Sequence, residues 1–98
     1  MIVEPLYLVA VIKPKIECAD EVLEVLRVMM AKTRAENGCD FYDLVAGDDE
    51  PGTWLMLEKW STRADWEAHM SMPHVVAGNE SLADLLRKPT ELRFYSAR

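Results

Sequence analysis

The first apolar stretch, Leu6-Tyr7-Leu8-Val9-Ala10-Val11-Ile12, is continuous, β-favouring and stopped by Lys13-Pro14, so it predicts a strand. Residues 19–37 change to helical spacing. Val22, Leu26, Met29, Met30 and Thr33 fall on one stripe, and Gly38 offers a left-handed stop. Residues 41–46 and 53–60 read as two more strands, joined by the turn-rich Gly47-Asp48-Asp49-Glu50-Pro51-Gly52 into an antiparallel hairpin. Ser61-Thr62 open a second helix, with Thr62 and Asp65 spaced as a capping box and Trp66, His69 and Met70 on one face. Pro73 suits the first turn of a further helical piece reaching Leu86; Lys88-Pro89 ends it, and residues 92–95 close as a fourth strand. The order β-α-β-β-α-β, with its second helix broken, is the ferredoxin-like α+β pattern with an antiparallel sheet.

In that topology both helices cover one face of the sheet, and the other should alternate to polar residues if it meets water. It does not. Trp54, Met56 and Trp60 point one way and Leu55 and Leu57 the other; Leu8, Ala10 and Ile12 oppose Tyr7, Val9 and Val11. Leaving both faces apolar would expose a patch larger than monomers usually carry, so a two-fold homodimer is expected. The competing reading covers the second face with the broken helix and the termini. If a dimer forms, Leu55 and Leu57 belong at its interface, and Met56 and Glu58 do not.

Ninety-eight residues correspond to one domain, spanning 1–98. The net charge of −6, with eleven basic residues spread from Lys13 to Arg98, argues against a nucleic-acid partner. No stretch approaches the roughly 20 apolar residues of a membrane span, and no secretory leader pattern is visible, so a cytoplasmic protein without a membrane partner is expected. Cys18 and Cys39 flank a predicted helix whose ends lie about 27 Å apart at 1.5 Å per residue. A disulfide needs Cα atoms within about 7 Å, so two thiols are expected.

Both histidines, His69 and His74, sit around the break in the second helical region. A buried imidazole at His69 would suit proton abstraction near neutral pH; a satisfied, semi-buried histidine is the plain alternative. Glu58 lies mid-strand on the face of Met56 and Trp60, where an ionised carboxylate is costly unless paired. It could orient or charge-stabilise a histidine from the covering helix, or form a salt bridge to Arg or Lys. If Leu44 pairs with Met56, Tyr42 falls opposite Glu58; a one-residue slip separates them. Tyr42, Trp54, Trp60 and Trp66 could line an aromatic-substrate pocket or simply be core. His69 and His74 with Glu58 make three nominal metal ligands, but no tight His or Cys motif fixes their geometry, so no metal is expected. No glycine-rich phosphate loop or nucleotide fingerprint is present, and no nucleotide cofactor is expected.

The stretch Thr33-Arg34-Ala35-Glu36-Asn37-Gly38-Cys39, then Tyr42-Asp43-Leu44, resembles the antibiotic biosynthesis monooxygenase family. So do Glu58-Lys59-Trp60, Trp66-Glu67-Ala68-His69 and Ser71-Met72-Pro73-His74. The resemblance implies a dimeric α+β barrel built from two ferredoxin-like protomers, each holding a pocket between sheet and helices. Family members include cofactor-independent oxygenases of polycyclic quinols, quinol monooxygenases, haem-degrading enzymes and an isomerase of a phosphorylated autoinducer, so the family specifies fold better than substrate. Haem degradation is not implied. Asn79 stands near the place of the axial histidine, His69 near that of a catalytic Trp, and Leu6–Ile12 contains no Asn.

The leading expectation is a cofactor-independent monooxygenase using molecular oxygen on a small or polycyclic aromatic quinol or phenol. His69, oriented by Glu58, would remove a phenolic proton; Tyr42 and His74 would hydrogen-bond the substrate, with Trp60 and Trp66 as walls. The alternatives are an isomerase or lyase of a small carbonyl compound, or a ligand-binding dimer without turnover. A phosphorylated substrate would need basic residues near the pocket, with Lys13, Lys32 and Arg34 the nearest options.

Overall fold

A computed structural model describes residues 4–98. Strand β1 (Leu6–Ile12) leads through a short 3-10 turn into helix α1 (Ala19–Thr33). Strands β2 (Cys39–Ala46) and β3 (Trp54–Trp60) follow as the hairpin. Helices α2 (Arg63–His69) and α3 (Pro73–Leu82) and strand β4 (Glu91–Tyr95) complete the chain. The sheet order is β2-β3-β1-β4 with every neighbouring pair antiparallel, the ferredoxin-like arrangement.

One face of the sheet carries the core. Leu6, Leu8, Ala10 and Ile12 of β1 and Met56 and Trp60 of β3 pack with Val22, Leu26 and Met29 of α1 and Val75 and Leu82 of α3. Helix α1 meets α3 at Gly78, where the Met29 side chain fills the space a Cβ would take: a Cβ there would lie 2.3 Å from Met29 Sδ. The opposite face presents Tyr7, Val9, Leu55 and Leu57, all partly exposed, with Phe41 and Val45 of β2 more open still. The apolar division of the two faces is therefore the one expected.

Several boundaries differ from expectation. Helix α1 ends at Thr33, not Asn37, because hydrogen bonding tightens: Ala35 N–H donates to Lys32 O and Glu36 N–H to Thr33 O. Gly38, at φ +80°, accordingly turns the chain into β2 and does not cap the helix. Strand β2 starts two residues early, at Cys39, with a register irregularity between Cys39 and Phe41. Helix α3 stops at Leu82, not Leu86. Lys15 N–H donates to Leu85 O and Arg87 N–H to Lys13 O, which draws this segment into a bridge beside Pro14. The Thr62 cap forms as expected, its Oγ1 accepting from Asp65 N–H at 3.0 Å. Both cysteines are free thiols. No helix among the described residues is long and apolar enough to cross a membrane.

Candidate functional site

A cavity of about 510 Å³ lies between the sheet and its helices. Ala10 and Ile12 from β1, Met56 from β3, Leu26 and Met29 from α1 and Val75 and Leu82 from α3 give it apolar walls. Into these walls are set Tyr42, Glu58, Trp66 and Asn79, with Arg87, Lys88 and Thr90 from the segment before β4. An apolar hollow with a few convergent polar groups is the ordinary form of a small-molecule site.

The hairpin register places Glu58. Leu44 pairs with Met56, so Tyr42 stands directly opposite Glu58 on the helix-covered face. The Glu58 side chain is buried, and one oxygen accepts from Trp60 Nε1 at 3.0 Å. No Lys or Arg among the described residues lies in salt-bridge range of it. Burial, reinforced by the Glu36 charge and only partly offset by the Trp60 hydrogen bond, pushes its carboxyl up to about 7. Burial, with Glu58 beside it, pushes the Tyr42 phenol far above its ordinary value, so it stays protonated. The Cys39 thiol is likewise raised by burial, to about 11, which leaves it a poor nucleophile at neutral pH.

The histidines stand elsewhere. His69 is buried at the end of α2, with its ring centroid 4.7 Å from that of Trp60 and 5.7 Å from that of Tyr42. Its Nδ1 donates to Glu36 Oε2 at 2.8 Å, and His74 Nε2 donates to the same oxygen at 2.8 Å. Glu36, not Glu58, therefore orients His69. Burial lowers the His69 pKa against the opposing pull of Glu36.

Of the seven side chains singled out from the sequence, Tyr42, Glu58 and Trp66 line the cavity, while His69, His74, Trp54 and Trp60 do not. Trp60 is fully buried, standing between Glu58 and the His69 ring rather than forming a wall. Trp66 packs edge-on against Phe94 at 5.0 Å between centroids. The basic lining residues are Arg87 and Lys88, in place of Lys13, Lys32 and Arg34. Arg87 is held in position by Nη1 hydrogen bonds to Pro14 O (2.7 Å) and Gly52 O (2.9 Å).

Sequence reasoning overlooked Glu36 as a site residue. Its signal was available: it is the only acid in the stretch from Thr33 to Cys39, beside a glycine turn, in a chain whose two histidines need a partner.

Comparison with known proteins agrees with this architecture. The chain is 36% identical over 78 residues, 76% of its length and 82% of the other's, to the Bacillus subtilis protein named "Putative monooxygenase YcnE". It is 28% identical over 92 residues to the uncharacterized Synechocystis protein sll1783, spanning 94% of this chain but only 63% of that longer protein. The solved structure of Rv0793 from Mycobacterium tuberculosis superposes with a TM-score of 0.91 at 26% identity, covering 96% of this chain and 95% of that one. The model of the antibiotic biosynthesis monooxygenase family matches residues 5–81, and with the shared fold and the sheet-to-helix cavity this places the chain in that family.

Proposed function

We propose that the protein is a monooxygenase that oxidises a small or polycyclic aromatic quinol or phenol to a quinone, with Glu58 as the base. The observation that carries this reading is the buried Glu58 carboxylate on the wall of an apolar cavity, opposite Tyr42. Family membership and the monooxygenase names of relatives support the reaction class.

In the proposed reaction Glu58 accepts the phenolic proton, a task suited to a group titrating near neutral pH. Tyr42, still protonated, donates a hydrogen bond to substrate oxygen, and Trp66 forms an aromatic wall. The electron-rich phenolate gives one electron to molecular oxygen, and the resulting radical pair combines to form the C–O bond of a peroxide. Loss of water cleaves the O–O bond and leaves the quinone carbonyl; one oxygen atom enters the product and the other leaves in water. The substrate supplies all the electrons, so the scheme calls on no flavin, haem or metal. The protein contributes placement and exclusion of water. His69 and Glu36 serve as positioning residues, bracing Trp60 and Tyr42 from behind. We further propose that the open sheet face pairs with a second copy, making the working unit a homodimer.

Oxygen uptake with a panel of aromatic quinols and phenols tests the reaction. Uptake above the spontaneous rate is expected for the native chain, with Glu58→Gln lowering it by about 10²-fold or more, the usual scale of a lost general base. Unchanged uptake in Glu58→Gln would remove the base assignment, and no uptake across the panel would remove the monooxygenase reading. Arg87 and Lys88 in the lining favour one second reading, an isomerase or lyase of an anionic carbonyl compound. That activity would persist without oxygen.

A further inference from the structure

Glu36, His69 and His74 come from three places that the fold brings together: the turn after α1, the last residue of α2 and the first turn of α3. Their side chains are only 7%, 3% and 11% exposed. Among the described residues, no Lys or Arg lies within 4 Å of the Glu36 carboxylate, whose side-chain partners are the two imidazoles. Each ring aims one nitrogen at the same carboxylate oxygen, and one ligand atom from each residue lies within 4.8 Å of the other two. Neither the cavity nor the proposed oxidation uses this cluster directly.

We propose that Glu36, His69 and His74 form a binding site for a divalent transition-metal ion, ligated by the Glu36 carboxylate, His69 Nδ1 and His74 Nε2. Two imidazoles and one carboxylate suit a borderline cation such as zinc or cobalt, whereas magnesium and calcium prefer oxygen ligands. Tetrahedral bonds of about 2.0–2.1 Å place neighbouring ligand atoms about 3.4 Å apart. The carboxylate oxygen therefore backs away from its 2.8 Å contacts while the rings converge on the ion. The helix break at residues 70–72, between α2 and α3, is where this adjustment is easiest. Each imidazole hands the N–H now pointing at Glu36 to its other ring nitrogen, so the ligating nitrogens present lone pairs.

A bound ion would clamp the α1–β2 turn to the α2–α3 junction. It would sit behind the Trp60 and Tyr42 rings that touch His69, outside the cavity lining, so its role is distinct from the proposed oxidation. From sequence, Glu58 was the nominal third ligand and the set failed for want of geometry; Glu36 supplies the missing position.

The test is calorimetric titration of tag-free protein, stripped with a chelator, using Zn²⁺, Co²⁺ and Mg²⁺, with visible spectra recorded for Co²⁺. One zinc or cobalt per chain is expected, with the d–d bands of low-coordinate cobalt and no comparable magnesium binding. Glu36→Gln and His74→Ala should each weaken zinc at least about 10-fold, while a Cys18→Ser, Cys39→Ser double variant binds as the native chain does. Circular dichroism establishes that each variant is folded, and Glu36→Gln carries the test if His74→Ala is not. Absence of stoichiometric binding, undiminished affinity in Glu36→Gln, or loss of binding in the cysteine variant would each overturn the proposal.

Discussion

Burial that raises the Glu58 carboxyl to about 7 also makes it a pH-dependent liability to folding. The folded-state value lies above the ordinary carboxyl value of 4.5, so the folded protein holds this proton more tightly than the unfolded chain does. Glu58 therefore costs nothing below about pH 4.5 and becomes progressively destabilising as pH rises toward 7. The full cost is about 3 kcal/mol at 1.36 kcal/mol per unit. Glu58→Gln keeps an acceptor for Trp60 Nε1 but cannot ionise. In denaturant titrations at equal protein concentration, native and variant should be similar near pH 4.5, and the variant should gain about 3 kcal/mol relative to native by pH 8. His69 also titrates differently on folding, but it is common to both proteins and cancels in the difference. A variant no more stable than native at pH 8 would show that the carboxyl is not strained by burial. This residue was legible in the sequence because a charged position interrupts an apolar strand face. Glu36 was legible only as the lone acid between Thr33 and Cys39, beside the Gly38 turn; that it reaches His69 depends on how the α1–β2 turn folds back, and strand alternation carries no information about that turn.

At the level of elements, the turn entering β2 and the start of α2 depend on each other. Gly38 sits at φ +80°, and a Cβ there would lie 2.2 Å from Asp65 Oδ2. Asp65 is the residue whose N–H the Thr62 cap satisfies, and its Oδ2 also accepts from Thr62 Oγ1 at 3.0 Å. Thr62→Ala removes the cap alone and should cost about 1 kcal/mol, lowering the melting temperature by about 4–8 °C. Gly38→Ala combines left-handed strain of about 1–2 kcal/mol with displacement of Asp65, so it should cost more than Thr62→Ala. Because both act through Asp65, the double variant should lose less than the sum of the singles. Thermal unfolding of the three variants checks the order, and a Gly38→Ala protein as stable as native would contradict this account. The capping box was visible in sequence because it is local. The end of α1 was placed four residues late because apolar spacing continues past the point where hydrogen bonding tightens, and the end of α3 because its stop is made by residues 13–15, far away along the chain.

For the whole molecule, the question is what covers the face opposite the helices. Along its central strands that face presents Tyr7, Val9, Leu55 and Leu57, flanked by Phe41 (37% exposed), Val45 (39%) and Tyr95 (50%). A groove of about 400 Å³ runs across it, lined by Tyr7, Val9, Phe41, Leu57 and Tyr95. Charged residues on the same face stand on the edge strands or at a strand end: Asp43 on β2 opposite Leu57, Arg93 on β4 opposite Val9 with Glu91 beside it, and Lys59 at the end of β3. An apolar centre with a charged margin is the pattern of a protein interface, and a self-complementary patch favours two-fold pairing. Both pairing strands and the alternation that divides their faces were readable from residues 6–12 and 54–60. The association itself was inferred from the same alternation; among the described residues, α1 and α3 pack on the other face. Sedimentation equilibrium should therefore give about twice the 11.2 kDa chain mass. Leu57→Glu places a carboxylate on the apolar strip beside Asp43, where pairing would bury one such charge from each copy, and should shift the protein to monomer. The substitution leaves the covered face untouched, so the monomer should keep native secondary structure. A native chain that sediments as a monomer at micromolar concentration would refute the pairing, and a Leu57→Glu protein that remains fully dimeric would move the interface to another surface.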